Sequence, residues 1–183
     1  RKIGGTIPVT YEQLEDVVGV RDYLNNRMTL QVEQAPETQV LTGAGSGSEM
    51  NGFSTDVTQA QAKGTDPTPD AVYKGMTLVR VNGRAEPTHI VAHPNDWQDI
   101  RLLRTADGIY IYGSPQDPGV ERMWGLPVIQ TTAQTENTIL VGDFIGHSQL
   151  WMRQGIQFET TSSHASEFLD NLLRIKVWMR AAL

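Results

Sequence analysis

The chain has 183 residues, 39% hydrophobic and 20% charged, enough to bury roughly 70% of its unfolded surface in one sizeable domain or two interleaved small ones. Fifteen basic against 21 acidic residues leave a formal net charge of −6, which argues against nonspecific nucleic-acid binding, since that needs a cationic surface, and disfavours an anionic membrane. Cysteine is absent, so disulfides, thiolate metal sites and cysteine nucleophiles are excluded, and no apolar run approaches the ~20 residues of a bilayer span.

The chain opens on "RKIGGTIPV", without a methionine or a signal peptide, and is expected to be a fragment or processed product. Residues 3–10 predict a short strand, with Pro8 marking an edge or an entry. Thr10 and Gln13 form a capping-box pattern ahead of a helical turn from Tyr11 to Val18, which Gly19 breaks. Val20, Leu24, Met28 and Val32 then recur at helical spacing, predicting a long helix with a narrow apolar stripe. Pro36 is expected to kink or interrupt it, and Gly43 to cap it. "TGAGSGSEMNGF" follows, dense in glycine, and residues 54–70 are polar and read as loop.

Val72, Met76 and Val79 predict a helix over 69–83, and "THIVAHP" a buried strand. A second helix is predicted over "PNDWQDIRLLRTADG", with Pro94 in the first turn, Asp96 at the positive dipole end and Trp97, Ile100 and Leu103 facing inward. Short strands follow at "GIYIYG", "LPVIQT", "NTILVGDF" and "SQLWMRQGIQFET". The last stretch carries the clearest period: Leu173, Ile175, Val177, Met179 and Ala181 alternate with Arg174, Lys176, Trp178 and Arg180. That is a long strand with one apolar face and one cationic face. Helices alternating with strands, then a strand-rich tail, predict an α+β class.

No enzyme motif survives inspection. A phosphate-binding loop needs a strand before it, a helix after it and a lysine within it, whereas the glycine stretch follows a helix and no lysine lies between Arg27 and Lys63. His89 and His93 flank an extended "IVA" and stand ~13 Å apart, too far to share one ion, so they read as polar or capping residues. Asp143, His147 and Ser148 lie close in "GDFIGHSQ", but without a nucleophile elbow, and neighbours in sequence seldom converge as a triad. The carboxylates of Glu15 and Asp16 read as a solvated helix face.

Taken in order, "PVTYEQLEDVVGVRDYLNNRM", "VLTGAGSGSEMNGF", "HIVAHPNDWQDIRLLRTADGIYIYG", "MWGLPVIQT", "ILVGDFIGHSQLWMRQGIQFE" and "FLDNLLRIKVWMRAAL" resemble segments of the tailed-bacteriophage major capsid proteins of the Hong Kong 97 fold. The resemblance covers nearly the whole chain. It implies a peripheral domain over 1–43 and 150–183, holding the long spine helix and strands from both chain ends, with an axial domain inserted over 44–149. The glycine stretch would then be the hinge at the crossing between them.

The function so implied is structural and not enzymatic: a virion or prophage head protein, made in the bacterial host cytoplasm, that self-assembles through hexamers and pentamers into an icosahedral shell around DNA. It implies no cofactor, no metal and no membrane. Scaffold, portal or cement proteins would be further partners, without recognition of a nucleic-acid sequence, and the negative net charge suits a wall that does not hold on to DNA. Arg174, Lys176 and Arg180 are the expected intersubunit cations, and Glu12, Glu15, Asp16 and Asp22 their acidic counterparts. In some members a hairpin lysine, upstream of the first strand here, is cross-linked to an asparagine. Asn171 holds the asparagine's place, but Trp178 stands where the promoting glutamate would be, so no self-cross-linking is expected. The alternative is an encapsulin-type shell of the same fold that holds cargo enzymes. A rival of another class is a small cytosolic hydrolase or ligand-binding domain using His89, His93 and Asp143.

Overall fold

The computed structural model describes residues 1–57, 59–112, 121–164 and 167–183. Its elements, in chain order, are β1 (Lys2–Thr10), α1 (Tyr11–Asp16), α2 (Val20–Thr42), α3 (Phe53–Asp56), α4 (Thr68–Asn82), β2 (His89–Ala92) and α5 (Pro94–Arg101). These are followed by β3 (Arg122–Met123), β4 (Leu126–Gln130), β5 (Leu140–Gly142), α6 (Phe144–His147), β6 (Trp151–Thr161) and β7 (Leu172–Ala182). The chain divides into two compact units, one made of Arg1–Gly52 with Leu150–Leu183, the other of Phe53–Gln149.

The first unit joins the two chain ends. β7 lies between β1 and β6 in an antiparallel three-stranded sheet, with Ile7 opposite Ile175 and Gly4 opposite Trp178 in the β1 ladder. The period-two alternation of β7 decides what the sheet buries: Ile175, Val177, Met179 and Ala181 are buried, and the residues between them are more accessible. Against this face α2 packs Met28 and Val32, with Val9 of β1 completing the cluster and Ile3, Ile7, Leu14, Leu24 and Ile156 around it. Burying each such side chain contributes roughly 1.5–3 kcal/mol, which is why a helix with so few apolar positions is held at all.

Thr10 accepts the Gln13 N–H at 3.2 Å, as a capping residue should, but α1 stops at Asp16. Gly19, at φ 89°, turns the chain into α2. Pro36 does not interrupt α2, which runs on to Thr42. The C-terminal side is tied down: Leu41 is buried, the Gly43 N–H donates to the Gln39 carbonyl at 3.1 Å, and the Met50 N–H donates to Gln39 Oε1 at 2.9 Å. Those contacts offset the cost of about 3 kcal/mol that a proline carries inside a helix.

The glycine stretch is a closed loop seated on the end of α2. Gly45 N–H bonds the Met50 carbonyl and Gly52 N–H the Gly43 carbonyl, both at 2.9 Å, and Met50 is buried beneath. Gly43 is required by close approach, since a Cβ there would lie 2.3 Å from the Met50 carbonyl oxygen. Residues 44–52, assigned by sequence to the inserted segment, therefore stay with the first unit, and the chain leaves it only after Gly52.

The second unit holds a mixed sheet in the order β3-β4-β2-β5, with β2 parallel to β4 and antiparallel to β5. Its core gathers Val72 of α4, Ile90 and Ala92 of β2, Trp97 and Ile100 of α5, and Met123 and Val128. Pro94 opens α5 as expected, but the helix ends at Arg101 with Leu102 as its cap, short of the predicted length, and the chain beyond it turns at Gly108 (φ 81°), where Arg104 and Tyr110 form an isolated bridge. A strand over "GIYIYG" is consequently reduced to that one bridge among the described residues, and Gly113 lies outside them. The small strand β3 escapes sequence reading. It is set by Trp124 and Gly125, whose φ values of 52° and 84° suit a tight primed hairpin turn.

Candidate functional site

The surface that sequence singles out is the outer face of β7. Alternation places Arg174, Lys176, Trp178 and Arg180 opposite the buried row, and the register sets Lys2 beside Arg180, Thr6 beside Lys176 and Glu159 of β6 beside Lys176 on the other flank. The expected row of cations is largely spoken for within the chain. Arg174 Nε donates to Glu167 Oε1 at 2.5 Å, and Lys176 Nζ donates to Glu159 Oε2 at 2.5 Å. These bonds favour the charged forms: Lys176 is raised above the ordinary lysine value by Glu159, Glu159 is held below the ordinary carboxylate value by Lys176, and Arg174 is raised by Glu167. Trp178 completes the face, with Lys2 Nζ 4.2 Å and Lys176 Nζ 5.6 Å from its ring centroid, inside cation–π range. Arg180 is exposed and makes no ion pair among the described residues.

The acidic counterparts do not form one helix face. Glu12, Glu15 and Asp16 belong to α1 and Asp22 to α2, because the extended Val17 and left-handed Gly19 break the helix between them. All four are exposed and without an ion pair among the described residues. Glu12 and Asp22 each sit in a first helical turn, where the macrodipole favours an anion.

Asn171 has a conformational role. At φ 55° it takes the left-handed turn that feeds β7, and its carbonyl accepts the Tyr11 N–H at 3.2 Å. The preceding turn is closed by the Leu172 N–H donating to the Glu167 carbonyl at 2.8 Å. Glu167, which sequence reading passed over, is buried at 4% exposure and anchors Arg174. Glu159 and Lys2 were missed with it, because only the strand register brings them to the β7 face.

Two residues of the hydrolase reading, His93 and Asp143, are occupied by helix capping. His93 Nδ1 accepts the Asn95 N–H at 3.2 Å at the start of α5. Asp143 caps α6: Oδ1 accepts the Gly146 N–H at 2.9 Å, and Oδ2 lies 2.8 Å from His147 Nδ1. The Gly146 N–H first, and His147 second, hold the Asp143 carboxyl below its ordinary value. His89 lies in β2 opposite Gly142. Among the described residues no group of three His, Asp or Glu side chains could hold a metal ion. No described helix is long and apolar enough to cross a membrane.

A family model described as "Phage capsid family" matches residues 1–183. The major capsid protein of Enterobacteria phage HK97 is 30% identical over 185 residues, an alignment that takes in 100% of this chain and 48% of that protein. The chain thus spans about half the length of that curated relative. Among solved structures, the capsid of an empty GTA particle has a TM-score of 0.78 at 16% identity, over 100% of this chain and 68% of that one. Microbacterium phage Oxtober96 has a TM-score of 0.74 at 16% identity, over 100% and 65%, and Gordonia phage Cozz one of 0.71 at 12% identity, over 99% and 65%. At such identities the structures speak to the fold, which is the α+β Hong Kong 97-type capsid fold. The chain belongs to the phage capsid family.

Proposed function

We propose that the protein containing this chain is a major capsid protein, which assembles with copies of itself into an icosahedral shell around phage or prophage DNA. The observation that carries the reading is the family match along all 183 residues. The first unit is then the peripheral domain and the second the axial domain, with crossings after Gly52 and Gln149. The role is structural and needs no catalytic group. The protein would be made in the bacterial host cytoplasm and end in the virion, with scaffold, portal or cement proteins as additional partners.

Many copies of modest contacts supply the strength of such a wall, and heterologous contacts close into the rings of hexamers and pentamers. Charges without an ion pair among the described residues, Arg180 at one end of the β1–β7 ladder and Glu15, Asp16 and Asp22 in the helices that follow its other end, support complementary docking between copies.

The test is expression of the full-length protein alone and with its neighbouring genes, followed by electron microscopy and nuclease protection of the particles. Closed shells that protect DNA are expected. Shells that carry a protein cargo and no DNA would make the compartment reading the correct one, and a monodisperse monomer under all conditions would defeat both.

A further inference from the structure

At the end of the first unit where β7 begins, large apolar side chains stand in water. Phe168 and Leu169 are 78% and 84% exposed in the turn ahead of β7, and Val17 and Val18 are 51% and 101% exposed in the turn between α1 and α2. The Phe168 turn is held from both sides: Leu172 N–H bonds the Glu167 carbonyl at 2.8 Å, Tyr11 N–H bonds the Asn171 carbonyl at 3.2 Å, and Arg174 grips the Glu167 carboxylate. An adjacent phenylalanine and leucine presented this way forfeit their burial energy, and apolar groups exposed together mark a partner's site.

The same end carries a recess that fits them. Arg21 and Asn25 of α2, Phe158 and Thr160 of β6, and Leu173 and Ile175 of β7 line a pocket of about 230 Å³. An apolar cavity of ~150 Å³ holds a benzene molecule, so a phenyl ring can enter. Phe158, Leu173 and Ile175 supply the apolar lining, and Arg21 supplies a guanidinium with no ion pair among the described residues. The projecting turn is flanked by negative charge, since Glu12 follows the Tyr11 whose N–H is bonded to Asn171.

We infer that Phe168 and Leu169 of one copy seat in the Arg21–Phe158–Leu173 recess of a second copy, with Arg21 facing the Glu12 side of the incoming turn. This deepens the shell reading and rests on it. Charge selects the direction: turn against turn would bring Glu12 to Glu12, and recess against recess Arg21 to Arg21, whereas turn into recess brings opposite charges together. Where each copy seats its turn in one neighbour and receives the turn of another, the contact is heterologous, and repeating it closes a ring or extends a lattice.

The chain contributes no cysteine of its own, and any cysteine elsewhere in the full-length protein is first replaced by serine, so that the introduced thiols alone can cross-link. Full-length Leu169→Cys and Thr160→Cys proteins are co-expressed, and the assembled shells are purified, oxidised and run on non-reducing gels. A covalent heterodimer is expected in the mixed shells and not in shells of either variant alone. Phe168→Ser, at an exposed position that leaves the fold intact, is expected to lower shell yield about tenfold or more at fixed concentration. Mixed shells without the heterodimer, or a homodimer of Leu169→Cys alone, overturn the inference while leaving the shell reading standing. Failure of the unmodified full-length protein to form any shell defeats the shell reading, and the inference falls with it.

Discussion

Gly4 lies directly opposite Trp178 in the β1–β7 ladder, and a Cβ on Gly4 would come 2.6 Å from the Trp178 Cβ and 2.5 Å from the Val177 carbonyl oxygen. Gly5, the next residue, has nothing within 4 Å of the same construction. The bare backbone at position 4 is what lets the strand run close against the tryptophan that Lys2 also covers. Gly4→Ala is therefore expected to destabilise the chain by about 1–3 kcal/mol, the range for overpacking a filled site. Gly5→Ala is expected to be neutral or stabilising by up to ~1 kcal/mol, through the unfolded chain's reduced freedom. Chemical denaturation of the two variants decides the matter; equal effects would mean the Gly4 contact is relaxed by the sheet.

How much of this was legible in sequence depends on the range of the forces. β7 could be read nearly whole, because alternation of Ile175, Val177 and Met179 with charged residues is a local signature of a one-sided strand. The capping roles of Thr10 and His93 and the start of α5 at Pro94 were similarly local. What stayed hidden was set by register and by distant packing. Nothing in "GIQFET" or "ASEFLD" announces that Glu159 and Glu167 will neutralise Lys176 and Arg174, since the first pair exists only after β6 and β7 align and the second only once the turn at Glu167 folds back on β7. Pro36 misled for the same reason: its local penalty is real, but the anchoring of Leu41 and Gln39 further along overrides it. The glycine stretch was visible as a backbone anomaly. Its folding back onto Gln39 and burial of Met50 was not.

The two units have separate cores, and their stabilities should respond separately. Met28 is 6% exposed within the cluster around Val177, and Trp97 is 3% exposed within the cluster around Ile90. Met28→Ala is expected to cost about 2–5 kcal/mol and Trp97→Ala about 3–5 kcal/mol, as cavity-forming substitutions do. Read by amide hydrogen exchange, Met28→Ala should reduce protection in β1, α2 and β7, and Trp97→Ala in β2, β4 and α5. Uniform loss of protection across both units in either variant would show one cooperative core instead of two.

The charge pairs predict a shape for stability against pH. Glu159 has a lowered folded pKa, so its contribution is present above the unfolded carboxylate value and is lost as the pH falls through the folded one. Lys176 has a raised folded pKa, so its contribution is complete below the unfolded lysine value and is lost as the pH rises through the folded one. The difference in melting temperature between the unmodified chain and Glu159→Gln should thus be largest near neutrality, shrinking below pH ~4 and above pH ~10.5. Asp143, held low by the Gly146 N–H and His147, contributes only an acid limb, so the Asp143→Asn difference should shrink in acid and persist in alkali. A Glu159→Gln difference that stays constant across this range would show that the 2.5 Å pair has no influence on folding.

Within the cationic row, Arg180 separates assembly from folding. Arg174 holds a carboxylate that is 4% exposed, so Arg174→Ala leaves Glu167 buried without its counter-charge and is expected to lower the melting temperature of the chain itself. Shell defects in that variant would be ambiguous. Arg180 is exposed and has no ion pair among the described residues, so Arg180→Glu should leave melting unchanged. If Arg180 meets the Glu15, Asp16 and Asp22 surface of another copy, Arg180→Glu in the full-length protein should reduce shell yield, and Glu15→Arg in the same chain should restore part of it. Raising the salt from 0.15 M to 1 M shortens the screening length from about 8 Å to about 3 Å, so the unmodified protein should lose yield with salt while the Arg180→Glu protein should not. Wild-type yield and salt dependence in Arg180→Glu would remove Arg180 from the contact and leave the acidic residues on α1 and α2 as a solvated surface, facing water in the finished wall.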